Sequence, residues 1–286
     1  MMRIRLELPP FIFDIHSSVG FVEQNIHNMY PDDLFINPSR PADYFVGVEK
    51  ANGLRKFIRP QASFSFDAIE PFKTLPLNHA YASLEWGINY VVANQSLQYV
   101  ILHSGIVAKG DNAVLLPGPP GSGKSTMTAY LSGRQGWRLL SDEMALILPE
   151  TLKVQPFVRP ICLKNNSVDL VKRWYPEAKF STVARNTHKG DVVHLCPADS
   201  SWQQRDELAS VKAIVFPRYD ERIDLEITEL NQNQGFMQLA QNAVNLNLHG
   251  QQGFNTLVSL IENCAVFEVV YNNVEAVKTF LEQDVL

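Results

Sequence analysis

Residues 113–125 read Ala113-Val114-Leu115-Leu116-Pro117-Gly118-Pro119-Pro120-Gly121-Ser122-Gly123-Lys124-Ser125. The last eight fit G-x-x-x-x-G-K-[ST] in full. A short apolar strand leads in and a helical stretch, 124–134, leads out, the order a phosphate-binding loop requires. Gly121 and Gly123 carry no Cβ, so the backbone can curl and aim several N–H groups at one anion. The start of the following helix adds the positive end of its dipole. Lys124 is placed to reach β- and γ-phosphate oxygens, and the Ser125 hydroxyl to ligate Mg²⁺. The expected nucleotide-binding residues are therefore Gly118, Gly121, Ser122, Gly123, Lys124, Ser125 and Thr126.

A second element follows soon after. Leu139-Leu140-Ser141-Asp142-Glu143 puts an acidic pair at the end of a short strand. In phosphoryl transfer an acidic side chain orients or deprotonates the nucleophile and others hold the metal. The pair can divide this work, one carboxylate taking the hydroxyl proton and the other, with Ser125, binding metal. The alternative is a solvated turn. His103, in Leu102-His103-Ser104-Gly105, ends the strand before the loop strand and suits either a catalytic or a structural role. Arg159, Lys164, Lys189 and Arg218 border apolar segments. Each is a candidate phosphate or substrate contact, or a surface cation.

Outward from this centre the pattern alternates. Helix 78–93, with Asn78 as N-cap, precedes strands 98–103, 105–108 and 113–116. Strands 137–140 and 144–148, helix 167–174, strands 211–216 and 223–227, helices 235–247 and 254–263, strand 265–270 and helix 274–283 follow. Alternating strands and helices predict an α/β sheet with helical cover. Residues 180–202 lack periodicity and read as a mobile loop interrupted by strand 192–195. The first 75 residues read as short strands (3–7, 11–15, 44–48, 62–66) between Pro and Asx clusters. The expected division is a β-rich N-terminal module over 1–75 and a core over 76–286.

The 286 residues allow one large domain or two modest ones. Asp and Glu total 30 against 25 Lys and Arg, a net charge of −5, which argues against a broad nucleic-acid face but permits a local basic pocket. The three cysteines, Cys162, Cys196 and Cys264, are far apart, which excludes a disulfide framework and points to buried reduced thiols in a cytoplasmic protein. The N-terminus lacks a cleavage-type leader, and no apolar run is long enough to span a membrane.

The runs LEWGINY, ILHSGIVAKGDNAVLLPGPPGSGKSTMTAYLSGRQGWRLLSDEMALI, RPICLKNNSVDLV, THKGDVVHL and IVFPRY resemble the HprK-related kinase A family. This is a branch of the HPr kinase/phosphorylase superfamily, whose core is shared with phosphoenolpyruvate carboxykinase. The resemblance covers about residues 75–285. It implies a carboxykinase-like P-loop core and ATP- and Mg²⁺-dependent phosphorylation of a hydroxyl, that of Ser foremost, on a protein or peptide. It matches His103 to the active-site histidine and Asp142 to the general base of an Asp-Asp pair, with Glu143 in place of the second Asp. The superfamily's metal-binding Glu has no clear counterpart in 160–168, and phosphorylase activity is not carried over. The resemblance also implies a PqqD-like small protein partner of a peptide-modification system, and a homo-oligomer for which the aromatic N-terminal strands offer an interface.

Two other functions compete with a protein kinase. One is a nucleotide-binding regulatory or scaffold protein without transferase activity. The other is a kinase of small-molecule hydroxyls. No segment names the acceptor.

Overall fold

The alternation around Arg3 becomes strand β1 (Met2–Leu8), paired antiparallel with β2 (Phe11–Ser17). The structure, a computed structural model, describes residues 2–56 and 58–286. Leu6, Leu8, Phe11, Phe13 and Ile15 are buried from these two strands, while Arg3 and Arg5 both pair with Asp14. Helix α1 (Gly20–Met29) then interrupts what the sequence suggests is all strand. No side chain caps its start, so the usual sequence signal is missing, yet it buries Val22, Ile26 and Met29 at helical spacing. Strands β3 (Tyr44–Lys50), β4 (Gln61–Phe66) and β5 (Leu75–Pro76) complete a five-stranded sheet in the order β1-β2-β3-β4-β5. Helix α2 (Ala80–Gln95) is entered through a 3-10 turn over Leu77–His79, so Asn78 lies in that turn and not at an N-cap.

Next come β6 (Val100–Leu102), β7 (Ser104–Lys109), β8 (Asn112–Pro117), helix α3 (Lys124–Ser132), β9 (Trp137–Ser141), β10 (Ala145–Ile147) and β11 (Lys153–Gln155). Strand β12 (Ile161–Lys164), helix α4 (Asn166–Trp174), β13 (Ala184–Thr187) and β14 (Gly190–Leu195) follow, the strands forming a separate sheet ordered β12-β14-β13. Residues 180–202 are therefore not a loop. They hold β13, β14 and the short helix α5 (Asp199–Gln203), and Val192–Leu195 of β14, the strand the sequence suggests, pairs with the whole of β12. Strands β15 (Ala209–Tyr219) and β16 (Leu225–Glu229), helices α6 (Gln232–Ala240) and α7 (Leu246–Asn263), strand β17 (Ala265–Tyr271) and helix α8 (Val274–Phe280) complete the chain.

The chain divides into two compact units, Met1–Val92 with Arg159–Cys196, and Ala93–Val158 with Pro197–Leu286. A boundary at residue 75 sees neither that most of α2 belongs with the N-terminal sheet nor that the β12–β14 sheet returns to it. In the first unit the Phe64 ring lies where a Cβ of Gly87 in α2 would sit, so this glycine permits the contact. A small apolar cluster of Ala82, Cys162, Ala184 and Val192 joins α2 to the three-stranded sheet. Cys162 is buried as expected; Cys196 and Cys264 are only half-buried.

The second unit is built on a nine-stranded sheet ordered β6-β10-β11-β15-β8-β7-β9, with β17 beside β15 and β16 on its outer side. Ile106, Leu115, Leu140, Ile214 and Val266 from its strands pack with Leu239, Leu257 and Leu260 from α6 and α7. Each such burial stabilises by about 1.5–3 kcal/mol. The single helix expected over 235–247 is interrupted after Ala240. There the backbone leaves the helix to pair with β6, through a bridge between Leu102 and Ala243 and a hydrogen bond from Val244 N to Ile101 O. Tertiary pairing outweighs local helix propensity at that point.

Strand directions decide where chemistry can gather. β7 is antiparallel to both β8 and β9, so these two run the same way; β15 is parallel to β8, and β17 to β15. The carboxyl ends of β8, β9, β15 and β17 thus leave the sheet at one edge, beside the amino end of β7. In open α/β sheets this edge is where ligands bind. The molecule is mixed α/β with several sheets and eight α-helices among the described residues. No helix among them is long and apolar enough to cross a membrane.

Candidate functional site

Pro117 ends β8 opposite Ser104, the first residue of β7, and Ser141 ends β9 opposite Ile106. These registers bring three sequence-predicted elements to the same sheet edge: loop 118–125 after β8, the pair Asp142-Glu143 after β9, and His103 just before β7.

The loop has the backbone its sequence predicts. Gly118, Gly121 and Gly123 all have positive φ, at 154°, 88° and 97°. The space where a Cβ of Gly121 would project is open, whereas at Gly123 it is filled by the Tyr271 hydroxyl. That hydroxyl, at the end of β17, donates to Gly123 O at 3.4 Å. Burial pushes the Tyr271 phenol well above its ordinary range, so it remains a donor. Helix α3 starts at Lys124 with no side chain capping its first amides. Those amides have no partner within the helix and point along its axis toward the loop. The Lys124 ammonium, 7% exposed, donates to the carbonyls of Gly118 and Pro119. The Ser122 hydroxyl is buried without a protein hydrogen-bond partner. Glycines that open a cradle, a buried hydroxyl and a lysine folded against the same loop fit a nucleotide phosphate.

The acidic pair is close to α3. A Cβ at Gly105 would meet the Thr128 hydroxyl of α3 and lie 3.6 Å from Asp142 O, so this glycine lets helix, strand and acidic turn come together. Asp142 is 5% exposed, and Glu143 is half-buried. His103 Nδ1 lies 3.2 Å from the backbone oxygen of Glu143. A carbonyl only accepts, so Nδ1 carries a proton in this contact. No cluster of three or more His, Cys, Asp or Glu able to hold a metal ion occurs among the described residues. Mg²⁺ that arrives with phosphates keeps several waters and needs few protein groups. The residue types of Ser125 and Glu143, a hydroxyl and a carboxylate, suit that sparse demand.

Among the basic candidates only Arg218 belongs to this unit. It is exposed at the end of β15, with its Nε 3.8 Å from Glu268. Arg159, Lys164 and Lys189 belong to the first unit. Arg159 is held there as a buried partner of Glu85, at 3.0 Å, and of Asn89, at 2.8 Å. Lys164 is half-buried at the end of β12, and Lys189 is exposed with its ammonium over the Trp86 ring.

Three contributors escaped sequence reading. Asn242, in the break after α6, accepts the Gly118 amide on its Oδ1 at 3.1 Å and the His103 amide on its backbone oxygen at 2.7 Å. One residue therefore ties the loop to the histidine segment. Tyr219 donates its amide to Ser122 O at 3.2 Å, and Tyr271 supports Gly123. None of the three stands near the loop in sequence, so no local spacing could mark them. The Gly123 support has a measurable consequence. Gly123→Ala combines a left-handed backbone, costing about 1–2 kcal/mol for a residue with a Cβ, with a clash against Tyr271. Nucleotide affinity by calorimetry is expected to fall more than about tenfold, with the melting temperature lowered by a few degrees but unfolding still cooperative; retained affinity would refute the close-approach role.

A scan against protein-family models and a search of curated proteins both find no match for this chain.

Proposed function

We propose that this chain is an ATP-dependent phosphotransferase with a carboxykinase-like P-loop core, moving the γ-phosphate of ATP to a hydroxyl, foremost that of a Ser in a protein or peptide. One observation carries the reading: a complete phosphate loop and a buried carboxylate, Asp142, follow β8 and β9, two strands that run the same way on either side of β7 and end at one sheet edge. A plain Gly-rich turn would not account for a buried carboxylate at the same sheet edge.

In this reading the loop amides and the N-terminus of α3 hold the β- and γ-phosphates. Lys124 exchanges its carbonyl partners for phosphate oxygens. Asp142 accepts the proton of the acceptor hydroxyl as that oxygen bonds to the γ-phosphorus; the bond from phosphorus to the bridging oxygen breaks, and ADP leaves. His103, oriented through Nδ1 by the Glu143 carbonyl, places its ring at the same turn. Ser125 and Glu143 would hold Mg²⁺, which would supply charge neutralisation of the phosphate oxygens. A small protein of the PqqD-like kind is a fitting acceptor or escort on the resemblance described above.

The test is transfer of labelled γ-phosphate from ATP into candidate small proteins and into free hydroxyl amino acids, with Lys124→Ala as control. Label in a protein as an acid-stable ester, lost in Lys124→Ala, is the expected result. Label on a free amino acid would move the acceptor to small molecules. Tight ATP binding with no labelled product from any acceptor would leave a regulatory nucleotide-binding protein and overturn the proposal.

A further inference from the structure

Strand β15 does not stop at the sheet edge but carries Tyr219 directly onto the phosphate loop. The Tyr219 amide bonds Ser122 O, and its Cβ lies 3.6 Å from where a Cβ of Gly123 would be. The ring is 55% exposed. Its centroid lies 6.0 Å from that of Tyr271, with the planes at 84°. Tyr271 is itself buried and anchored to Gly123. An exposed aromatic on a flexible loop would lose its freedom on binding a ligand. Here the backbone is held by the pairing of Tyr219 with Tyr271 of β17 and by the amide bond to Ser122, and the ring has an edge-to-face neighbour. The result is a rigid, solvent-facing π-surface within a residue's width of a phosphate cradle. Arg218 is turned out beside it, also exposed.

Phosphate alone requires no aromatic surface. A ligand that uses both features carries phosphates at one end and a planar ring at the other. We propose that the exposed face of Tyr219 is the stacking platform for the heteroaromatic base of the nucleotide whose phosphates loop 118–125 holds. This rests on the nucleotide reading of the loop and adds to it the means by which the base is held. Aromatic stacking on a base is sequence-tolerant because every base has a π-face, so the platform contributes affinity without depending on base-edge hydrogen bonds.

The experiment compares two probes, ATP and inorganic tripolyphosphate, each with Mg²⁺, by calorimetry on the full chain. Tyr219→Ala is expected to weaken ATP about tenfold, the scale of one lost stacking contact, while tripolyphosphate affinity stays within about twofold. Tyr219→Phe, which keeps the ring, is expected to bind ATP like the wild type. Unchanged ATP affinity in Tyr219→Ala would overturn the platform. A parallel loss of tripolyphosphate would overturn it too, by showing that the residue only shapes the loop. Lys124→Ala separates the two levels: it is expected to weaken both probes. If it weakens neither, the phosphate-loop reading fails and the platform with it; if it weakens both while Tyr219→Ala weakens none, only the platform fails.

Discussion

Asp142→Asn is expected to bind ATP as the wild type does and to transfer its γ-phosphate about 10²–10⁴-fold more slowly, the range for loss of a general base. The substitution keeps the size and planarity of the side chain and removes its ability to take a proton. Asp142 is 5% exposed, at the end of β9, and its backbone oxygen lies beside Gly105 and the Thr128 region of α3. The acidic turn is thus fixed by the same packing that fixes the phosphate-loop helix. The Lys124 ammonium and the loop amides come from different residues, so binding and chemistry are separable. Single-turnover transfer at saturating ATP, with affinity measured independently, decides the matter. A transfer rate within a few-fold of the wild type would remove Asp142 from the chemistry and point to His103 or Glu143 instead.

The second large effect is on stability and lies in the first unit. Arg159→Met is expected to destabilise that unit by about 3–5 kcal/mol, the cost of stranding one partner of a buried ion pair. Glu85 is 1% exposed and Arg159 7% exposed. The Tyr30 hydroxyl donates to Glu85 Oε1 at 2.8 Å, and the Arg159 guanidinium also bonds Glu85 O and Asn89 Oδ1. Burial, with the Glu85 charge adding to it, pushes the phenols of Tyr30 and Tyr81 well above their ordinary range, so both stay protonated donors. Removing the guanidinium leaves a carboxylate in an apolar surround with only neutral donors. Urea unfolding should show the loss, and the double variant Arg159→Met with Glu85→Gln should recover most of it. A single variant as stable as the wild type that has lost phosphate transfer would restore Arg159 as a phosphate contact.

What could be read in advance follows a physical division between local and distant signals. The loop 118–125, its strand and its helix were legible because eight adjacent residues set the backbone of a cradle, and glycine's freedom is a local property. The turn at Asp142 was legible for the same reason, as an acidic pair closing an apolar strand. Helix α1 was missed because Val19 gives it no capping side chain. Of the three-stranded sheet, 192–195 of β14 is legible as an apolar run, whereas β13 is not, because it is short and polar and only its pairing with β14 secures it. Arg159 looked like a free cation because its partner Glu85 is 74 residues away. Asn242 carried no signal at all: its value lies in two hydrogen bonds to segments more than a hundred residues earlier.

That last separation bears on how the chain is made. The β7–β8 hairpin is local and can form as soon as it leaves the ribosome, but the edge it presents is unfinished. One flank of β8 waits for β15, the Gly118 amide waits for Asn242, 124 residues on, and Gly123 waits for Tyr271. Non-local closure of this kind is slow and comes late. A nascent chain would therefore display the whole of loop 118–125 without its scaffold until Tyr271 has been synthesised.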